Sequence, residues 1–418
     1  MAAVTFPQLV QRACGIDVHL KVVVATIDGV GIQRETRSFK TFTSSLNELK
    51  EWLLSNGVTH VAMESTGIYW KPVYKVLEDS IPNVWIVNAR HIKNVPGHKT
   101  DKMDSEWICK LLLAGLLKPS YIPPKEQRQL RDLTRYRNKL IQQIASEKNR
   151  MMRILEDCNI KLSSVVSDTS GATATSLIDM LCEGKILTLD DIKSVYHGKL
   201  SASPEELLEA CTGFVEEHHI YLLQMIRKDI DQTQALVDDL SERIKRLLSK
   251  YENALELLKE IPGFSTKVVE DLISEIGLDM SHFPSEKHLS SWAGLSPGNN
   301  KSAGKKKCAR ITHGNKQVKA VITEAAWAAT RTKNTFFSER YHRIAARRGK
   351  KRALIAVGHS LLVSVYLILS TGARYHELGA QYIQSKIEQK RKVYLSSELK
   401  KLGYNVSLTK VPQAVTPN

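Results

Sequence analysis

Cysteine pairs are missing from this chain. Its six cysteines, Cys14, Cys109, Cys158, Cys182, Cys211 and Cys308, form no C-x-x-C, and none has a histidine at zinc-finger spacing. A disulfide scaffold and a structural zinc are therefore not expected, and a reducing cytosol fits. A long apolar run is missing as well. The most apolar stretch, residues 353–369, contains His359, Ser360 and Ser364. It is short for a membrane span and reads as a buried helix. The N-terminus has no basic head followed by an apolar core, so no signal peptide is expected and the cytoplasm is the expected location. Acidic residues are the scarcer charge, 44 against 60 Lys and Arg, which leaves a formal net charge of +16. That excess is a patch: residues 301–352 hold 16 Lys and Arg and only two acids, Glu324 and Glu339. Such a patch points to a polyanion, either nucleic acid or an anionic membrane surface. With 418 residues, 42% of them hydrophobic, the chain has core enough for two or three domains.

Residues 14–26, CGIDVHLKVVVAT, put two β-rich pieces around a polar turn and predict a hairpin. Residues 35–39 supply a third strand. Residues 44–54 follow with leucines at helical spacing and Ser44 or Ser45 as the N-cap. A short buried strand is expected at 60–65, a helix interrupted near Pro72 at 68–77, a strand at 83–88 and an amphipathic helix at 100–117. The order β, β, β, α, β, α, β, α predicts a mixed sheet covered by helices, the order of the ribonuclease-H-like fold. The fold class is thus α/β followed by α.

The period then changes. Residues 123–155 and 220–251 each carry apolar positions at steps of three and four, with polar residues on the seam. The two long helices read either as an antiparallel coiled-coil arm, also suited to dimerisation, or as part of a plain bundle. Between them, 163–176 read as a Ser/Thr/Gly-rich loop and 177–215 as short helices. Residues 257–277 read as helix, Pro-Gly hairpin, helix, a turn able to offer backbone N–H groups to a phosphate. Helices are expected at 316–330 and 352–369, with the basic stretch 340–352 between them, and disorder after Thr409. The expected domains are 1–122, 123–255, 256–395 and a tail, 396–418.

Two constellations carry chemistry. Asp17 follows Cys14, Gly15 and Ile16 in an apolar strand, Glu64 ends another, and Asp101 and Asp104 open a helix at i, i+3. Singly, each has a structural explanation, a turn for Asp17 and helix-dipole compensation for Asp101 and Asp104. Converging at one sheet edge, four carboxylates repel unless a cation lies between them. An all-carboxylate set favours Mg²⁺ or Mn²⁺ over zinc. The second constellation is residues 294–315, GLSPGNNKSAGKKKCARITHGN. Pro297, Gly298 and Gly304 predict an exposed loop carrying Ser302, with Lys305, Lys306, Lys307 and Arg310 behind it. This is either a solvated basic loop or a serine held near a phosphate. Lys316, Arg347, Arg348, Lys350, Lys351 and Arg352 extend the expected nucleic-acid contacts.

GIDVH at 15–19, MESTG at 63–67, KTDKMDSEW at 99–107, IPG at 261–263 and AGLSPGNNKSAGKKK at 293–307 together resemble the DEDD transposases of insertion sequences. The family is the insertion-sequence-110 family, and the resemblance is closest to its 1111 subgroup. It implies an N-terminal RuvC-like domain in which Asp17, Glu64, Asp101 and Asp104 hold Mg²⁺. It implies a C-terminal transposase domain whose Ser302 attacks a DNA phosphate to form a covalent intermediate. It further implies a structured non-coding guide RNA that pairs with target and donor DNA, and assembly as a homodimer or homotetramer. The alternative is a metal-dependent, Holliday-junction-like endonuclease that uses the same acids with water as nucleophile. A non-catalytic nucleic-acid-binding protein on a decayed nuclease fold is a third reading, and the intact acid set stands against it.

Overall fold

A computed structural model describes residues 8–65, 67–88, 101–197, 200–297, 300–302, 305–308, 311 and 313–409, with 101–103, 300–302 and 305–308 described by backbone alone. The chain forms two compact units, 1–123 and 124–418.

The first unit is built on a five-stranded sheet of order β3-β2-β1-β4-β5. Its strands are β1 (Arg12–Val18), β2 (Val22–Gly29), β3 (Ile32–Lys40), β4 (His60–Glu64) and β5 (Asn83–Val87). The helices are α1 (Thr43–Ser55), α2 (Trp70–Leu77) and α3 (Asp101–Leu113). β1, β2 and β3 pair antiparallel, while β1, β4 and β5 run parallel. The mixed sheet is the one the alternating pattern predicts.

Side chains alternate across a strand, and the two faces bury different partners. Cys14, Ile16 and Val18 with Val61 and Met63 pack against Leu49 and Leu53 of α1 and Val73 and Leu77 of α2. Ala13, Ala62 and Val87 face Ile108, Cys109 and Leu112 of α3. Two local expectations change. No serine caps α1: Phe42 is its N-cap, and the Ser45 hydroxyl accepts from the Lys40 amide at 3.1 Å instead. Pro72 does not interrupt α2, because the helix begins at Trp70. Pro72 therefore lies in the first turn, where its missing N–H has no intrahelical acceptor to lose.

The second unit opens with α4 (Lys125–Asp157) and continues through α5 (Leu162–Val165), α6 (Ala172–Cys182), α7 (Leu189–Val195) and α8 (Pro204–Ala210) to α9 (Glu217–Leu248). α4 and α9 run antiparallel, with Asp157 beside His219, Gln143 beside Thr233 and Arg137 beside Ser241. The expected loop at 163–176 is partly helical. Leu162, Val166 and Ala174 are buried in the core the short helices share with α4 and α9, and that burial overrides the Ser/Thr/Gly composition.

The remaining elements are α10 (Glu252–Lys259), α11 (Thr266–Ile276), α12 (Glu286–Trp292), β6 (Asn300–Ser302), β7 (Lys305–Cys308), α13 (Lys316–Arg331), α14 (Phe336–Arg348), α15 (Lys350–Thr371) and α16 (Ala380–Lys401). The basic stretch 340–352 is not a connector. It is helical on both sides of a single break at Gly349, whose φ of 85° few other residues adopt. α15 is long and apolar enough to cross a membrane by composition. Its Val357, Leu361, Leu362 and Val365 are instead buried in the core formed with α11, α13 and α14. α16 passes through the expected boundary at 395 and buries only Ile383. The segment expected to be disordered, beyond Thr409, lies outside the described residues.

α11 is buried along nearly its whole length, including Glu270, Asp271 and Glu275. Three arginines of α4 meet them. Arg137 donates to Glu270 at 2.6 Å and to Asp271 at 2.9 Å. Arg135 forms a forked pair with Glu275 at 2.7 and 2.9 Å. Arg131 donates to the Ser274 carbonyl at 3.0 Å. Burial of these carboxylates is tolerable because each is paired and hydrogen-bonded.

Candidate active site

Gly15 sets the geometry of the first unit. A Cβ built on it would lie 2.2 Å from the Ser105 carbonyl oxygen and 2.3 Å from the Cys109 amide nitrogen. The strand therefore meets the backbone of α3 directly, which only glycine permits. Further along, the Cys109 thiol points to the Ala13 carbonyl at 3.5 Å. Fully buried Ser105 shares a hydrogen bond of 2.8 Å with Thr26, which shares another of 2.9 Å with Thr36. These contacts fix the direction of α3: the turn from 105 to 109 lies over residue 15, with the Cys109 side chain reaching back to 13. Two further strand residues span ~6.6 Å, and four helix residues span ~6 Å. The start of α3 at Asp101 is thereby carried toward Asp17.

Asp17 and Glu64 stand next to each other in register, one step beyond the parallel pair Ile16 and Met63. Both are half-buried. Each has the parity of Ala13 and Ala62, so both lie on the face covered by α3. Asp17 Oδ2 is 3.0 Å from His19 Nε2. Asp104 is half-buried on the first turn of α3, and Asp101 is described by backbone only. The fold thus brings the stretches bearing all four expected acids to one end of the α3-covered face. An all-oxygen donor set at this end fits a hard divalent cation.

The region of Ser302 is more ordered than a loop. β6 and β7 pair antiparallel with Ser302 opposite Lys305 and Lys301 opposite Lys306, and Pro297 bridges to Ile311 at the base. Ser302 is the last residue of β6, and Lys305, its partner in register, is the first of β7. The side chains of Ser302 and Lys305–Lys307 and all of Arg310 lie outside the described residues. The base of the hairpin is anchored. A Cβ on Gly314 would lie 2.2 Å from the Gly294 amide. The Asn315 amide donates to the Trp292 carbonyl at 3.0 Å. Asn315 Oδ1 caps α13, and its Nδ2 donates to Glu275 at 2.9 Å. Glu275, held by Arg135, thus ties the hairpin to α4.

Lys316, Arg347, Arg348, Lys350, Lys351 and Arg352 are exposed. Lys350, Lys351 and Arg352 occupy the first turn of α15, where positive charge opposes the helix dipole by ~0.3–1 kcal/mol each. Their placement there is unfavourable for the fold and favourable for an anionic partner. The Pro262–Gly263 turn is less open than its sequence suggests. A Cβ on Gly263 would lie 2.4 Å from the Ala325 carbonyl of α13, so this glycine serves helix packing.

Among the described residues, one His and carboxylate group is spaced for a metal: Glu216, His218 and His219, with candidate atoms within 4.8 Å of one another. His219 is already committed to capping α9. Its Nδ1 accepts from the Glu216 amide at 3.2 Å, and its Nε2 lies 3.3 Å from Asp157. Sequence reasoning missed this group, whose signal was E-H-H-I at the head of a helix. It also missed Gly15 and Ser105, whose roles depend on contacts across the sheet.

Residues 14–160 match a family model described as a transposase of the DEDD type of insertion sequence IS110. Residues 255–342 match a second, described as the transposase IS116/IS110/IS902 family. No curated protein matches the chain. The DEDD domain implies use of a divalent metal, and the activity of such transposases is cleavage and transfer of DNA. The chain carries both domains of an IS110-family transposase of an insertion sequence, the acids falling in the first match and Ser302 in the second.

Proposed function

We propose that this transposase cuts and rejoins DNA through a covalent phosphoserine at Ser302, guided by a structured RNA of its element. The observation that carries the reading is the strand pair: Ser302 is the last residue of β6, paired with Lys305 at the start of β7, and the base of the pair is anchored by Gly314 and Asn315. A nucleophile needs such a fixed approach, because a positioned attack replaces much of the entropy loss of a bimolecular one. In the proposed step Ser302 Oγ bonds to phosphorus and loses its proton, the P–O bond to the departing strand breaks, and that strand's oxygen takes up a proton. The bond energy stays in the phosphoserine, so the reverse attack by another strand's hydroxyl rejoins DNA without an external energy source.

Asp17, Glu64, Asp101 and Asp104 are the proposed ligands of Mg²⁺ or Mn²⁺, which when bound supplies charge neutralisation at the phosphate. Lys305, Lys306, Lys307 and Arg310 position the DNA backbone. The acids belong to the first unit and Ser302 to the second. We extend the proposal to a composite site in a homodimer or homotetramer, with acids of one subunit serving the serine of another. The guide RNA supplies sequence recognition by base pairing, leaving the protein to read backbone and shape. The cytoplasm is the proposed site of action.

The test is a denaturing gel of labelled element-end DNA incubated with protein, target DNA, the flanking RNA and Mg²⁺. A labelled band at protein size that disappears in Ser302→Ala is the expected outcome. Free cut DNA, equally abundant in the variant and without an adduct, would overturn the serine in favour of water.

A further inference from the structure

A second group of cations lies apart from the exposed ones, in the packing between α14 and α15. Arg340 is half-buried. Its Nε is shielded from solvent and has no hydrogen-bond partner among the described residues. The guanidinium carbon stands 5.8 Å from the centroid of the Phe336 ring one turn earlier. Arg343 follows one turn later on the same stripe, also half-buried, and Arg347 continues that stripe into solvent. Half-buried His359 of α15, the helix packed against α14, lies close enough to Arg340 to feel its charge. Burial, then the proximity of Arg343, holds the Arg340 guanidinium below its ordinary pKa. Burial, then Arg340, lowers His359, against an opposing effect from Glu286 of α12.

Two arginines and a histidine are therefore drawn together with no carboxylate bonded to either guanidinium among the described residues. For stability alone this is a poor arrangement, since an unpaired buried charge is costly and an apolar residue of similar volume would serve the fold better. The contrast with Arg137, held by two carboxylates in the same unit, is direct. The group has the chemistry of an anion receptor: two forked guanidinium donors that match phosphate geometry, plus an imidazole N–H. We propose that Arg340, Arg343 and His359 together bind one phosphate of the DNA backbone, a contact that rests on the reading of the chain as a DNA transposase. Arg347 and the exposed cations beyond it extend the path along which that strand lies.

The experiment uses the full chain, a fluorescently labelled DNA duplex and a series of salt concentrations, with binding read by anisotropy. Arg340→Met and Arg343→Gln are each expected to weaken binding. Each should also reduce the slope of log affinity against log salt by about 0.9, the value for one phosphate contact. Arg340→Met is further expected to melt at the same temperature as wild type or higher, because its shielded Nε has no hydrogen bond to lose and methionine keeps an apolar contact with the Phe336 ring. Wild-type affinity and slope in both variants would overturn the site and leave the transposase reading standing. A lower melting temperature in Arg340→Met, with Arg343→Gln binding normally, would make Arg340 a structural residue. A wild-type protein that binds no duplex at any salt would overturn both readings together.

Discussion

Gly15 is a residue whose missing side chain does the positioning. With the Ser105 carbonyl and the Cys109 amide occupying the space a Cβ would need, Gly15→Ala must push α3 off β1. Neither obstacle is a flexible side chain, so the cost belongs at the upper end of overpacking, about 3 kcal/mol. Urea unfolding should show a loss of that order, and strand cleavage should fall with it, since α3 carries Asp101 and Asp104. Unchanged stability would mean that β1 and α3 are not in backbone contact. Cys109, beside Gly15, is kept as a neutral thiol by burial, its pKa pushed up to about 12. It is a packing residue, not a nucleophile. The tripeptide Gly-Ile-Asp was legible as an acid in an apolar strand. The reason for its glycine was not, because the obstructing backbone comes from residues 105 and 109, distant in sequence.

At the scale of elements, α11 makes the strongest demand on its neighbours. Arg137 is 3% exposed and holds Glu270 and Asp271. Arg137→Met leaves Asp271 with Lys267 and Asn138, at 3.1 and 3.0 Å, and takes from buried Glu270 the donor that holds it at 2.6 Å. Breaking such a network typically costs ~3–5 kcal/mol, and denaturant titration should find a loss of that size. A loss below ~1 kcal/mol would mean water reaches the site and the carboxylates are solvated. Periodicity made most helices legible, α4 and α9 above all. It did not reveal that Arg137 on the α4 seam was paired, since its acids lie on a helix more than a hundred residues away. The Ser302 hairpin was missed for another reason: Gly and Pro announce a turn, but strands of three and four residues are too short to show alternation. The helix through the basic stretch 340–352 was hard to see in the sequence, because its charges outnumber Tyr341, Ile344 and Ala345, the apolar positions that pack it onto the core.

For the whole molecule, each of the two units has its own cores, and the junction falls at Pro123 and Pro124. A fragment of residues 124–418 should therefore fold alone. Calorimetry of the full chain should resolve two transitions, one of which the fragment reproduces. A fragment without cooperative unfolding would mean that the second unit needs the first. Order of elements and charge distribution made the class of the first unit and its basic partner legible. The distribution of candidate catalytic groups over two units was legible only as positions in the chain, since periodicity says nothing about which units fold separately.

The antiparallel pair α4 and α9 also sets a ruler. Thirty-three residues of α4 extend ~50 Å at helical rise. At one end stand Arg131 and Arg135, tied through Glu275 to the stem of the Ser302 hairpin; at the other sits the cap formed by α5 to α8. Duplex DNA advances ~3.4 Å per base pair. A straight duplex lying along this pair must reach about 15 base pairs before it can touch both ends. Shortening the paired helices by whole turns would lower that minimum in steps of between one and two base pairs, leaving the hairpin and its anchors untouched.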